Sequence, residues 1–426
     1  MTPRAAFSVS GKRVVVVGAA RSGVAAAELL VRRGAAVILT DIRAHIEDEE
    51  RLRAAGVDLE LGGHNAETLT RADLIVLSPG VPPRQPALDA ARRAGVPVMG
   101  ELELASRWLR GRIVAITGTK GKSTTTTLTG RMLEAGGHRV LVGGNIGHAL
   151  SAQVEDSTED TIHVVEASSF QLETVETFHP WIAVLLNFSP DHLDRHADVD
   201  EYAAAKASMD DALAEGVVLS GDTIARKAAT RREALVPLAA VKLLGRHLLA
   251  DVLAAAAVAT IAGVAPDAMT RAVESFTGLE HALEPAGEIG AVRFVNDSKA
   301  TNIESAHRAI ESFGPGLVVI LGERFKGGDF ADLRAALVER AAVVVAIGEA
   351  APLVHKALEG IVPVRDAADL RAAVRTAFAS ARPGETVLLA PACASFDMFR
   401  DYAERGRAFK QEVARLQQDW NGTREQ

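Results

Sequence analysis

Short apolar runs recur along the chain, separated by alanine-rich helical segments: VVVV at 14–17, AVIL at 36–39, LIVL at 74–77, IVAI at 113–116, RVLV at 139–142, HVVE at 163–166, AVLL at 183–186, VRFV at 292–295, LVVIL at 317–321, VVVAI at 343–347 and TVLLA at 386–390. Runs this short and this apolar read as strands buried on both faces. Their alternation with helices predicts parallel α/β sheets covered on both sides. Three blocks follow from the pattern, at residues 1–111, 112–278 and 279–426. The longest apolar stretch, 248–265, is interrupted by Asp251 and is rich in alanine, which predicts a buried helix and no membrane span.

Composition narrows this picture. A chain of 426 residues has room for about three domains, and 48% hydrophobic with 24% charged residues is ordinary for a globular protein. A net charge of −8 disfavours nucleic acid or an anionic membrane as the main partner, so an anionic ligand must meet local basic clusters. The single cysteine, Cys393, excludes an internal disulfide and a thiolate metal site and suits a reducing compartment. The first residues run straight into a strand and a glycine turn without the order of a signal peptide, so the cytoplasm is the expected location.

The polar residues that break the pattern cluster just after the runs. Residues 117–124 read TGTKGKST behind IVAI. Gly118 and Gly121 permit a tight turn whose N–H groups point inward, Lys122 brings a point charge to outer phosphates, and the Ser123 hydroxyl can hold Mg²⁺. The motif is a shortened phosphate loop, since the usual spacing would need glycine where Ile116 stands; its alternative is an ordinary strand-to-helix turn. GAARSG at 18–23, with Asp41 closing the second strand, has the layout of a dinucleotide-type half fold or of plain strand–helix packing. Glu166 ends a strand at a sheet's carboxyl edge, where an acid beside a phosphate loop holds Mg²⁺ or caps a helix. Asn187 to Arg195 packs two carboxylates, an imidazole and a guanidinium into one turn. In the third block, NDSKATN at 296–302, Lys326-Gly327-Gly328 and PACASFD at 391–397 each follow a strand, a layout that suits a binding face for a small charged molecule.

Together TGTKGKST, GGNIG (143–147), EASSFQLE (166–173), PDHLDRH (190–196), NDSKATN and PACASFDMF (391–399) resemble the ATP-dependent Mur ligases of peptidoglycan synthesis, in order and over nearly the whole chain. The SSFQLE, DSKATN and PACAS segments look most like the branch that adds D-glutamate to UDP-N-acetylmuramoyl-L-alanine. The resemblance implies an N-terminal Rossmann-like domain for the UDP group, a central P-loop ATPase domain with a parallel sheet, and a C-terminal Rossmann-like domain that closes over the amino acid. It implies that ATP phosphorylates the substrate carboxylate and that the amine of D-glutamate attacks the acyl phosphate. By the same resemblance, Gly118, Thr119, Lys120, Gly121, Lys122, Ser123 and Thr124 cradle ATP, with Asp297 on the ATP side of the interdomain cleft. Ser123 and Glu166 hold one Mg²⁺, and His192 holds a second with Lys206, whose carbamate would turn a cation into an anion. Asn145 lies near the reacting carboxylate; Arg21, Ser22, Arg43 and Gly80 meet the UDP group; Lys299, Thr301, Lys326, Ser395 and Tyr402 surround D-glutamate. The implied enzyme is a cytoplasmic monomer without nucleic-acid partner or membrane insertion. A ligase for another amino acid, or a non-catalytic homologue, is the alternative.

The chain also departs from the family. Its His-Asn-x-x-Asn signature reads His247-Leu248-Leu249-Ala250-Asp251, Ala282 follows His281 where arginine is usual, Lys120 stands where asparagine is common, and the segment between Lys206 and Gly245 is short. These differences bear on ATP binding.

Overall fold

The computed structural model describes residues 7–187, 217–220, 223–228, 231–241, 247–325 and 327–424. Each of the eleven apolar runs lies within or overlaps a strand. The described residues within Met1–Val241 and Ala250–Ser275 form one compact unit, and those within Lys242–Leu249 and Phe276–Gln426 form another.

The first unit opens with a parallel sheet of β1 (Arg13–Val17), β2 (Ala36–Asp41), β3 (Val57–Leu61), β4 (Leu74–Leu77) and β5 (Val98–Gly100), in the order β3-β2-β1-β4-β5. This doubly wound order follows from strands apolar on both faces: β1 and β4 are buried from Val14 and Leu74 onward, so helices must cover both sides. A second parallel sheet, β6 (Arg112–Thr117), β7 (Arg139–Gly144), β8 (Thr161–Glu166) and β9 (Ile182–Leu185), runs β7-β8-β6-β9. Leu29, Leu102, Ile113, Leu150 and Val165 share one apolar cluster, which joins the two sheets in one unit. Buried acids reinforce the joint. Glu101 Oε1 accepts from the Ser151 N–H at 2.6 Å, and Glu103 Oε2 accepts from the N–H groups of Glu176, Thr177 and Phe178, each at 2.9 Å. An antiparallel sheet of β10 (Val217–Ser220), β11 (Thr223–Ala228) and β12 (Arg231–Pro237) completes the unit, with helix Pro266–Ser275 packed between β12 and helix Lys122–Ala135.

In the second unit, β13 (Glu284–Ile289), β14 (Val292–Asn296), β15 (Leu317–Gly322), β16 (Ala341–Ile347), β17 (Val364–Asp366) and β18 (Thr386–Leu389) form a sheet in the order β13-β14-β18-β15-β16-β17. All pairs are parallel except the hairpin β13–β14. Helices cover both faces, one over Leu321, Val344 and Leu388 and the other over Ile320, Val345 and Leu389. The stretch at 248–265 does contain a helix, His247–Ile261, and no helix among the described residues is long and apolar enough to cross a membrane.

Candidate functional site

β6 delivers the phosphate loop. Gly121 is the N-cap of helix Lys122–Ala135 with φ 82°, and a Cβ there would lie 2.1 Å from Asp251 Oδ1, so both the conformation and the space require glycine. Among the described residues no side chain caps that helix, and its first N–H groups with the positive dipole end suit an anion. Lys122 Nζ donates to the carbonyls of Gly118 at 2.8 Å and Thr119 at 2.9 Å, which holds the ammonium over the loop. Asn187, two residues beyond β9, grips the loop from the neighbouring strand. It accepts from the Lys120 N–H at 2.9 Å, donates to the Lys120 carbonyl at 3.0 Å, and its own carbonyl accepts from the Thr119 N–H at 3.1 Å.

Glu166 ends β8, which pairs with β6 at Ile116, and is almost wholly buried. Asn145 Nδ2 donates to Glu166 Oε1 at 2.8 Å, and the Asn145 N–H donates to the Glu166 carbonyl at 2.9 Å. Oε2 has no hydrogen-bond partner among the described residues. A buried carboxylate oxygen left open beside a phosphate loop suits Mg²⁺, which takes few protein ligands and completes its shell with phosphate and water oxygens. The residues that follow Glu166 have structural work: Ser168 and Gln171 form a capping box on helix Ser169–Leu172.

Asp251 packs against Gly121 from helix His247–Ile261. It is 3% exposed, and burial pushes its pKa up to about 7, with the Thr125 hydroxyl opposing the shift. Leu248, the other altered position of the same signature, packs against the apolar core of the second unit.

The order of the first sheet places a crevice between the turns after β1 and β4, where the chain leaves in opposite directions. Arg21, Ser22, Ser78 and Gly80 line it together with Asn145 and Gly147 from the second sheet, around about 140 Å³. Arg21 Nη1 donates to the Gly147 carbonyl at 3.2 Å. A larger cleft of about 920 Å³ is bordered by Arg21, Arg43, Arg51 and His148. Asp41, at the end of β2, is engaged by its own neighbourhood. It accepts from the Ala19 N–H at 2.6 Å and from Arg43 Nε at 2.8 Å and Nη2 at 2.9 Å, and the Arg43 guanidinium holds its carboxyl far below the usual range. Asp41 therefore orders the glycine turn and aims Arg43.

In the second unit the three polar turns follow β14, β15 and β18, adjacent parallel strands in the order β14-β18-β15. Asp297 accepts from the Leu283 N–H at 3.1 Å, and burial raises its carboxyl to about 7. Lys299 and Thr301 are half-buried on the same turn, while Asn302 is spent on capping helix Ile303–Glu311 through the Ser305 N–H at 2.8 Å. Ser395 is 2% exposed on the third turn, and Tyr402, at the start of helix Tyr402–Arg424, is 39% exposed. Arg405, fully buried on that helix, reaches all three turns.

Of the expected site residues, the structure thus brings Lys122, Ser123, Glu166 and Asn145 to one sheet edge, with Arg21, Ser22 and Gly80 beside Asn145. His192, Lys206 and Lys326 lie outside the described residues. Among the described residues there is no group of three or more His, Cys, Asp or Glu placed to hold a metal. The grip of Asn187 on the loop and the reach of Arg405 have no local sequence signal, since each partner is distant in the chain.

Comparison with known proteins agrees with this geometry. Residues 12–100 match the Mur ligase MurD-like N-terminal domain, 116–236 the Mur ligase middle domain, and 283–393 the Mur ligase glutamate ligase domain. The UDP-N-acetylmuramoylalanine–D-glutamate ligase of Acidobacterium capsulatum is 44% identical, covering 95% of this chain and 96% of its own. That of Pelotomaculum thermopropionicum is 42% identical, covering 95% and 98%. Among solved structures, UDP-N-acetylmuramate-alanine ligase from Thermotoga maritima covers 96% of this chain and 100% of its own at TM-score 0.59 and 17% identity. A MurF ligase from the same organism, in complex with ADP, covers 96% of each chain at TM-score 0.57 and 16% identity. With a phosphate loop, an open acid beside it and matches to all three domain types in order, this chain belongs to the Mur ligase family.

Proposed function

We propose that this chain is the ATP-dependent ligase that joins D-glutamate to UDP-N-acetylmuramoyl-L-alanine in peptidoglycan precursor synthesis. The observation that carries the reading is the single edge formed by the phosphate loop, Glu166 and Asn145, which continues into the crevice at Arg21, Ser22 and Gly80. A nucleotide-linked carboxylate in that crevice would point toward the phosphate loop. Relatives above 40% identity that carry the D-glutamate ligase name support the choice of amino acid.

In the proposed reaction the substrate carboxylate takes the γ-phosphoryl group of ATP, releasing ADP. The amine of D-glutamate then attacks the acyl carbon, and phosphate leaves with its bonding electrons as the amine gives up a proton. Lys122 and the N–H groups of the loop neutralise the transferring phosphoryl group, and Asn145 orients the carboxylate and Glu166. Mg²⁺, held by Ser123 and Glu166 and at a second position by His192 and carbamylated Lys206, would shield the phosphate oxygens. Asp297 borders the nucleotide, Arg43 binds the UDP end, and Lys299, Thr301, Lys326, Ser395 and Tyr402 hold D-glutamate, whose two carboxylates call for cations and hydroxyl donors. The working enzyme is a cytoplasmic monomer.

The test is phosphate release from ATP with UDP-N-acetylmuramoyl-L-alanine, with D-glutamate present, omitted or replaced by D-glutamine, L-lysine or diaminopimelate. Release that requires D-glutamate is expected. Turnover with another amino acid in its place would assign the chain to a different branch of the family, and no turnover with any would make it a binding homologue.

A further inference from the structure

We propose that Arg405 is a positioning residue of the amino-acid site, its guanidinium fixing the three turns 296–302, 322–325 and 391–397 as one rigid face. The proposal rests on the reading of these turns as the D-glutamate site. Arg405 Nε donates to Ser298 Oγ at 2.9 Å, Nη2 to the Ser298 carbonyl at 2.7 Å, and Nη1 to the Cys393 carbonyl at 3.1 Å and to Glu323 Oε2. All three nitrogens are used, and the acceptors lie on three separate segments. A planar fork of donors suits such a task, because it sets the directions as well as the distances of its partners.

Burial makes the arrangement costly. Arg405 and Glu323 are both fully buried, and taking two such groups out of water carries a large desolvation cost before their attraction is counted. Packing alone would be served as well by apolar side chains of similar volume. Local backbone strain accompanies this cost: Glu323 has φ 89° and Ala392 φ 58°, both left-handed conformations that non-glycine residues hold only when their surroundings fix them. They belong to two of the three turns that Arg405 joins. Main-chain bonds complete the lattice, from the Ala392 N–H to the Ala300 carbonyl at 3.0 Å and from the Gly322 N–H to the Pro391 carbonyl at 2.9 Å. Ser298 Oγ, which accepts from Arg405, donates at 2.7 Å to the carbonyl of Tyr402. The contact thereby reaches the start of the helix that carries another of the proposed D-glutamate residues. The carboxyl ends of adjacent parallel strands are where α/β sheets bind ligands, so rigidity here acts on a binding face.

The experiment compares Arg405→Lys and Ser298→Ala with the parent in KM for the amino acid, for ATP and for the UDP substrate, alongside thermal unfolding. Lysine keeps the charge but loses the fork, so the amino-acid KM should rise ~10-fold, with a smaller rise for Ser298→Ala, while the other two KM values stay within about twofold. Hydrogen exchange should quicken together in peptides covering all three turns. An unchanged amino-acid KM in a folded variant, or a loss shared equally by all three substrates in step with a lower melting temperature, would overturn the proposal. If Arg405→Lys does not fold, Ser298→Ala decides by the same criteria. If the parent ligates a different amino acid, the D-glutamate reading falls, and the same ratio measured with that amino acid decides the role of Arg405. If the parent ligates none, exchange decides: joint quickening of the turns supports the role, and quickening confined to helix Tyr402–Arg424 refutes it.

Discussion

Replacing Asp251 by asparagine separates charge from shape at the phosphate loop. Oδ1 lies 2.1 Å from where a Cβ of residue 121 would be, and Oδ2 has no hydrogen-bond partner among the described residues. Burial moves the pKa from 3.8 to about 7. Between those values the folded protein retains a proton that the unfolded chain has released, so stability falls as pH rises and levels off above about 7. The difference corresponds to at most ~4 kcal/mol, and near pH 5 to only ~1.5 kcal/mol. Asparagine removes this penalty and keeps the volume. The melting temperature of Asp251→Asn should therefore exceed that of the parent by a margin that widens from pH 5 to pH 8, by ~5 °C or more if one domain of ordinary size carries the change. Catalysis should report the same proton, because an ionised carboxylate against Gly121 would oppose phosphate bound at the N–H groups of that turn. The KM for ATP of the parent should climb between pH 6.5 and 8.5, and that of Asp251→Asn should climb less. A margin in melting temperature that is constant or narrows toward pH 8 would refute the coupling.

Lys122→Ala should abolish ATP-dependent ligation, a loss of ~10³-fold or more for a cation on the transferring phosphoryl group, while leaving the melting temperature and UDP-substrate binding near the parent. Asn187→Ala removes two hydrogen bonds to Lys120 and should raise the KM for ATP ~10-fold, read from steady-state kinetics. Glu103→Gln should destabilise the fold by about 1–3 kcal/mol at pH 7 in urea titrations, since the carboxylate accepts three backbone N–H groups as well as Arg107 and Thr177. Burial pushes the Glu103 carboxyl up, but those bonds outweigh it and hold its pKa below 4.5, so this stability is present above that value and disappears as pH falls through the lower folded one; the parent and variant curves should converge in acid. Ala282→Arg should lower the KM for ATP with little effect on the UDP substrate, and Lys120→Asn should damage turnover only if that lysine substitutes for the missing arginine.

The elements legible in the sequence are those whose signal is local. Each of the eleven short runs lies within or overlaps a strand, and those buried along their whole length, such as LIVL and LVVIL, are apolar throughout because both faces are covered. The strands that escaped notice are polar or short. β13 reads EPAGEI, an edge hairpin strand with proline and glycine; β17, also at an edge, has three residues, two of them charged. Edge and solvent-facing strands have no need of a continuous apolar run, so periodicity cannot find them.

The site divides along the same line. The phosphate loop is visible because its glycines, lysine and serine act within a single turn, and Glu166 because it ends a recognisable strand. What surrounds them is set by sheet order. β9 lies beside β6, and only that adjacency brings Asn187 to the loop; helix His247–Ile261 places Asp251 against a glycine far away in the chain. Arg405 shows the limit most clearly. Within YAERGRAF it is one arginine among several charged residues on an apparently solvated helix, yet it is fully buried because β14, β15 and β18 carry three turns to the place where that helix begins. A buried arginine needs acceptors on every side, and here they come from three strand ends. The same adjacency of strands that makes Arg405 unreadable in the sequence gives it a mechanical role, since whatever shifts one turn must work against the guanidinium shared by the other two.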